Sequence, residues 1–294
     1  MSHRIPLAIS LIALSAVLAV AGCGSPSPVV KKVDHVTVIT QNSQQLFDVL
    51  TGTLGLPVAW PMAQYPQFST GGVQAGNVNI EALGMPSSGG SGGPAASTGP
   101  VATPGASIYG IVLEPYALTK VTPELKARGA KPGKPTVQTA VIAGKTVPMW
   151  TNVTLSALAR PNYTVYLCQY SPTYASLLSS HKVSGPLGNI GVTSMRELVI
   201  SAKDPEAVKK QWQAALAPAP MSSSGVMTIG TGPAIRFIKG SSDAIVSFVL
   251  TVKSLSKAKD YLQSKGLLEE SSANELRIAP GAVQGLDIRI VAGG

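Results

Sequence analysis

The stretch Val33-Asp34-His35-Val36-Thr37-Val38-Ile39-Thr40 decides how this chain is read. It alternates with period two and is rich in β-branched residues, the pattern of a strand with two different faces. After Asn42 and Ser43 comes a helical pattern over Gln44–Leu54, which stops at Gly55, where glycine accepts the left-handed conformation that ends helices. Further strand-like runs end at Val78-Asn79-Ile80-Glu81-Ala82-Leu83. The unit reads strand, helix, then about three strands. It opens on a histidine and closes on a glutamate.

Working outward, the same unit recurs three times. Gly55 lies 20 residues after His35, and Gly129 lies 20 residues after Tyr109 in the second candidate strand, Ser107–Leu113. The third strand contains Arg196–Ile200 and leads to Asp204, Pro205 and Glu206, an N-cap, a first-turn proline and a carboxylate at the positive helix end. Val208, Trp212, Ala215 and Leu216 follow as an apolar stripe. The fourth strand is Ile245–Val252, with Leu255, Ala258, Tyr261 and Leu262 on its helix and Gly266 closing it. The copies finish in strands at 77–83, 163–170, 234–239 and 285–291. The modules are 33–85, 107–171, 194–240 and 244–292, grouped as two domains, 33–171 and 194–292. The Gly-, Ser- and Pro-rich residues 86–105 read as a flexible connector. Residues 172–193 separate the domains, with a helical pattern over Tyr174–Leu178 and a turn at Gly185–Gly188.

The totals narrow the class. Of 294 residues 45% are apolar and 13% charged, which supports a packed core and excludes wholesale disorder. The net charge of +9 comes from scattered basic residues with no nucleic-acid motif beside them, so no nucleic-acid partner is expected. Attraction to anionic lipid headgroups and a merely basic surface are the readings left. Phosphate-cradling glycine loops, paired-cysteine metal motifs and nucleophile elbows are absent from the sequence.

Residues 1–22 read as a signal peptide: a basic start, then the apolar run Ile5–Ala21. Val20-Ala21-Gly22-Cys23 resembles the lipobox of bacterial lipoproteins, which implies cleavage before Cys23 and acylation (palmitate among the chains) of that cysteine. Residues 23–32 then form a tether, and the protein is expected on the extracytoplasmic face of the cell membrane, held by lipid. With Cys23 so used, Cys168 is a lone thiol, and burial is its ordinary reading.

The paired units also resemble the vicinal oxygen chelate superfamily, which includes glyoxalase I, bleomycin-resistance proteins and extradiol dioxygenases. The residues that carry this are Val33-Asp34-His35-Val36, Leu54-Gly55-Leu56-Pro57-Val58, Gly72-Val73 and Gly76–Glu81, with a weaker echo at Leu250–Gly266 and Arg277–Pro280. The resemblance implies an α+β fold of four βαβββ modules, paired into two glyoxalase-like domains whose curled mixed sheets form cups. In that family a small-molecule ligand and a divalent metal sit in the cup, the metal held from the first and last strands of each module. The matching positions are His35 and Glu81, then Tyr109 and Cys168. Imidazole with carboxylate suits Fe, Mn, Ni or Zn, and a Cys168 thiolate would favour zinc. The second domain offers Glu197, Phe237, Ser247 and Arg289, which is not a metal set. The arrangement of two histidines and a carboxylate fails on count, since only His35 and His181 follow the signal segment.

Strand alternation turns Thr37 and Ile39 inward with His35, and Val36 and Val38 toward the helix. It puts Asn79 beside Glu81, Tyr109 beside Ile111, and Thr164 with Tyr166 and Cys168. Trp60, Tyr65 and Trp150 fall on middle strands, as pocket walls or as core. His35 and Glu81 are the candidate catalytic pair, Glu81 as general base when no metal is present. Trp60, Asn79, Tyr109, Trp150, Tyr166 and Cys168 are the candidate pocket. Three functions remain open from the sequence: a cup that transforms a small organic molecule, one that only binds it, or a structural envelope module.

Overall fold

A computed structural model describes residues 26–65, 68–85, 105–142 and 144–293. The signal segment, Cys23 and most of the 86–105 connector lie outside the described residues. The first unit is β1 (Val30–Thr40), α1 (Ser43–Asp48), β2 (Val58–Gln64), β3 (Ser69–Gln74) and β4 (Asn79–Gly84). The second is β5 (Ala106–Pro115), α2 (Leu118–Ala127), β6 (Thr136–Ile142), β7 (Lys145–Thr154) and β8 (Thr164–Tyr170). After α3 (Pro172–Ser180) come β9 (Val192–Ala202), α4 (Pro205–Leu216), β10 (Val226–Met227) and β11 (Ala234–Lys239). The last unit is β12 (Ala244–Val252), α5 (Leu255–Ser264), β13 (Leu268–Ser271), β14 (Glu275–Ile278) and β15 (Ile288–Ala292).

The strands form two curled mixed sheets, one per domain. The first has the order β2-β3-β4-β1-β5-β8-β7-β6, the second β10-β11-β9-β12-β15-β14-β13. In each, the opening strands of the two units meet antiparallel at the centre, and each closing strand runs parallel to its own opening strand. The third unit departs from the expected pattern. Its first closing strand shrinks to one bridge, Met221 to Met227. Pro218 and Pro220 precede that bridge, and proline cannot donate to a ladder.

Local sequence sets the helices. The Asn42 side chain accepts from the Gln45 N–H (3.0 Å) at the start of α1, and Asp204 does the same for Ala207 (3.0 Å) at α4. The expected helix over 44–54 is α1 followed by a π-helical segment at Val49–Thr53, and Gly55 ends it at φ +70°. The tether expected over 23–32 gives way early. Val29 and Val30 are buried, and Lys31 and Lys32 reach Glu114 at 2.8 and 3.8 Å, so β1 starts three residues before Val33.

The helix-side faces of both sheets share one continuous core, from Val36, Val38 and Leu46 to Trp212, Phe237 and Phe248. Polar links lock the halves together. Asn77 binds both backbone groups of Met195 (2.9 and 3.1 Å), and Arg160 donates to Gln211 (2.6 Å). What remains outside that core is the opposite face of each sheet, the two cups.

Candidate functional site in the first cup

Two single-residue bulges organise this cup. Between β1 and β5, Val33 pairs with Leu113 and His35 with Val112, leaving Asp34 over; Thr37 pairs with Gly110 and Val38 with Ile108, leaving Tyr109 over. The central pair is Val36 with Ile111, so exchanging the two units carries Asp34 to Tyr109, His35 to Gly110 and Thr37 to Val112. On the closing strands His35 lies beside Asn79 and Thr37 beside Glu81, while Gly110 lies beside Thr164 and Val112 beside Tyr166. Glu81 therefore answers to Tyr166. The positions expected from the resemblance pair His35 with Tyr109 and Glu81 with Cys168. The bulge at Tyr109 shifts the phase by one residue, so Gly110 and Val112 take the cup positions and Ile111 turns into the core.

The Asp34 bulge has the larger chemical consequence. In an unbroken strand neighbouring side chains point to opposite faces. Here Asp34 and His35 share one face, and His35 Nδ1–H donates to Asp34 Oδ2 at 2.7 Å. The Tyr170 hydroxyl donates to the same oxygen at 2.6 Å. Across the cup, His35 Nε2 is 3.5 Å from Glu81 Oε2. Glu81 is held by two threonines, Thr37 donating to Oε2 (2.8 Å) and Thr70 to Oε1 (2.6 Å). Thr70 accepts from the Trp60 indole N–H (3.3 Å), and Trp60 meets His35 edge-on at 5.7 Å between ring centres. Gly72 makes room for that indole, since a Cβ there would lie 2.4 Å from it.

Burial resists charge on both members of the Asp34–His35 pair. The hydrogen bond between them overcomes it, aided by the charge of Glu81 on His35 and by the Tyr170 hydroxyl on Asp34. The His35 pKa is raised above its ordinary 6.5, and that of Asp34 is lowered below its ordinary 3.8. Both shifts favour imidazolium beside carboxylate. Burial, and then the Asp34 charge, raises the Tyr170 pKa well above the usual phenol value, so it stays a donor. Burial followed by the Asp34 and Glu81 charges pushes the Cys168 thiol up as well, and it remains protonated.

Every pocket residue expected from the sequence lies on the strands around this cup. Asn79 neighbours His35 in register and Tyr166 neighbours Val112. Tyr109 is half-buried near enough to raise the Tyr166 pKa, after burial itself and with Glu81. Trp150 packs at 5.6 Å on Tyr174 of α3, which also meets Tyr170 at 5.6 Å, so the interdomain helix closes one side of the mouth. Ser171 caps that helix by accepting from Tyr174 N–H (3.3 Å), and Gln74 holds its far end through His181 O (2.7 Å) and Val183 N–H (2.9 Å). Asp34, Thr70, Tyr170 and Tyr174 were not on the expected site. Asp34 and Tyr170 depend on a bulge and on strand pairing, which no local pattern displays.

The donor set does not fit the metal that the resemblance implies. His35 Nε2 and a Glu81 oxygen, 3.5 Å apart, supply only two ligands. The other two positions hold Gly110 and Tyr166. A Cβ on Gly110 would lie 2.8 Å from that of Thr37, so no ligating side chain fits there without rearrangement. Cys168 lies two residues past Tyr166 on β8, away from the position that answers to Glu81. Among the described residues no three His, Cys, Asp or Glu side chains converge to hold a metal ion.

Two curled mixed sheets of paired strand–helix–strand units define the glyoxalase and extradiol dioxygenase-like fold, and the chain has that fold. No family model matches the sequence, and no curated protein matches it. Solved structures do. A triple mutant of 4-hydroxymandelate synthase from Streptomyces coelicolor is similar with a TM-score of 0.58 and 11% identity, over 91% of this chain and 95% of that one. A hypothetical protein from Staphylococcus aureus is similar with a TM-score of 0.61 and 12% identity, over 89% and 99%. Homoprotocatechuate 2,3-dioxygenase from Arthrobacter globiformis gives 0.54 and 10%, over 92% and 81%. The synthase and the dioxygenase belong to the vicinal oxygen chelate superfamily. At these identities the likeness is one of fold.

Proposed function

We propose that the first cup binds a small organic molecule without a resident metal, on a protein held by lipid at Cys23 on the extracytoplasmic face of the cell membrane. The observation that carries the binding reading is the convergence of His35, Asp34 and Glu81 inside walls of Trp60, Tyr166, Tyr170 and Tyr174. With His35 charged, the cluster has two carboxylates against one cation. It favours a neutral or cationic ligand that has a flat apolar part and a hydrogen-bond donor for Glu81. Aromatic faces are suited to both. The lipid reading rests on Val20-Ala21-Gly22-Cys23.

A second reading, proton transfer on the bound molecule, is favoured by the Tyr170–Asp34–His35 chain. Asp34 fixes the ring so that Nε2 points at the cup, the arrangement in which imidazole exchanges a proton with a ligand. The experiment for binding is a thermal-shift screen of neutral and cationic aromatic compounds, because a ligand at one hundred times its Kd adds about 2.7 kcal/mol to stability. The expected result is a shift that His35→Gln and Glu81→Gln abolish. A shift untouched by both substitutions sinks this site. Stoichiometric transition metal in the purified protein, lost in the same two variants, would replace the metal-free reading with a metal-dependent one. For the anchor, Cys23→Ala is expected to release the protein from the membrane fraction, and retention there rejects lipid attachment.

A further inference from the structure

The second cup has its own built-in polar floor, at the positions that form the site in the first. Its central strands carry matching bulges. Met195 pairs with Leu250 and Glu197 with Val249, leaving Arg196 over; Val199 pairs with Ser247 and Ile200 with Ile245, leaving Val246 over. The same exchange of units gives Glu197 with Ser247, and Arg236 (beside Val199) with Arg289 (beside Val249). Where the first cup has His35 and Glu81, the second has Glu197 and Arg236. Arg236, and not the Phe237 expected from sequence, takes the closing-strand position, because Phe237 turns into the core against Trp212 (5.6 Å).

These residues line an open cavity of about 240 Å³ together with Val199, Ile238, Val246, Val249 and Glu275. Arg236 directs Nε and Nη2 at a single oxygen of Glu197, Oε2, at 2.9 and 2.8 Å. A fork-on-fork pair would engage both oxygens. Here Arg236 engages only Oε2, and Glu197 lines the cavity. The Arg236 side chain is 31% exposed, so the pair opens on the cavity and does not lie in the core. Val199 and Val249 make an apolar strip between this pair and Arg289. Glu197 on β9 and Arg289 on β15 stand two strand spacings apart, roughly 10 Å. Arg289 leans on Asp287 (3.1 Å) and, at 3.5 Å, on Glu275 at the rim.

We propose that the second cup is a binding site for a small zwitterion of dipeptide size. Its ammonium end sits on Glu197, its apolar middle on the valine strip and its carboxylate on Arg289. The cavity is just under the ~300 Å³ at which ligand pockets begin, which limits the occupant to a small molecule. An extended dipeptide spans roughly 7 Å, of the order of the two strand spacings between the backbones that carry Glu197 and Arg289. This cup sets two guanidinium groups, Arg236 and Arg289, against the carboxylates of Glu197 and Glu275, where the first has two carboxylates against one cation.

The test is calorimetric titration of the full chain with alanyl-valine, N-acetyl-alanyl-valine and alanyl-valinamide. Alanyl-valine is expected to bind, and masking either end to weaken binding about tenfold or more, the worth of one lost charged contact. Arg289→Gln, at a half-exposed site that folding tolerates, should remove the advantage of a free carboxylate, and Glu197→Gln that of a free ammonium. Glu81→Gln should change neither, which separates this site from the first cup. No binding of alanyl-valine, equal binding of the masked peptides, or binding that Glu81→Gln abolishes overturns the proposal.

Discussion

The two cups of this chain are built on one register and furnished with different chemistry. Both have a bulge on each central strand and a diagonal pair linking the opening strand to the closing one. In the first the diagonal is imidazole and carboxylate, and the bulge residue Asp34 folds in beside His35. In the second it is carboxylate and guanidinium, and the bulge residue Arg196 is exposed. The backbone thus fixes where side chains converge, and a handful of positions decide what converges there. Sharing the fold consequently says little about shared chemistry.

The largest expected difference is at the bulges. Asp34→Ala leaves a buried imidazole without its carboxylate and should cost about 3 kcal/mol near pH 6, since breaking a buried pair strands the remaining charge. Arg196→Ala, at the matching place, should stay within about 0.5 kcal/mol. Urea unfolding of both variants reads this directly, and equal losses would break the comparison. Next come the central positions. Gly110→Ala must push a Cβ against Thr37 and should cost about 1–3 kcal/mol. Ser247→Ala only trims a hydroxyl from the second cup and should cost less than about 1 kcal/mol. A Gly110→Ala variant as stable as the parent would mean that the room for a ligating side chain exists after all.

The fold was legible in the sequence because its signals are local. Alternation marked β1, Asp204 and Pro205 marked the start of α4, and Gly55, Gly129 and Gly266 marked helix ends at positive φ. His35 and Glu81 were legible as a pair because the repeat put them on first and last strands. Asp34 was not, because a period-two reading sends it to the opposite face from His35, and only cross-strand pairing reveals the bulge. The same one-residue error carried Tyr109 into the place of Gly110 and Phe237 into that of Arg236. Tyr174 sits on a helix that was recognised between the domains, but its packing over Trp150 and Tyr170 is tertiary information.

A third difference is in pH response. The raised His35 pKa means that this group's contribution to stability is complete below its ordinary 6.5 and fades as pH rises through the folded value. The lowered Asp34 pKa means that its contribution is present above 3.8 and fades as pH falls through the folded value. Between the two the pair is fully ionic. The stability advantage of the parent over His35→Gln should therefore be greatest in mildly acidic solution and shrink at alkaline pH. Unfolding of Arg236→Gln against the parent should show no such step across neutrality, since no histidine among the described residues lines the second cup. A step in both, or in neither, would remove the electrostatic contrast.

The smallest effect concerns access. α3 packs Tyr174 on Trp150 and Tyr170 at the mouth of the first cup, and its N-terminus is tied by the Ser171 hydroxyl. Ser171→Ala removes that cap, worth about 1 kcal/mol to a helix. No residue of α3 is fully buried, so the helix has little packing with which to resist opening. Amide exchange should therefore quicken over Pro172–Ser180 while β8, beneath it, stays protected. A ligand of the first cup should then enter and leave faster, and alanyl-valine in the second cup should bind as before. Unchanged ligand kinetics with a loosened α3 would mean that the helix rests on the cup without controlling it, and access would no longer separate the two.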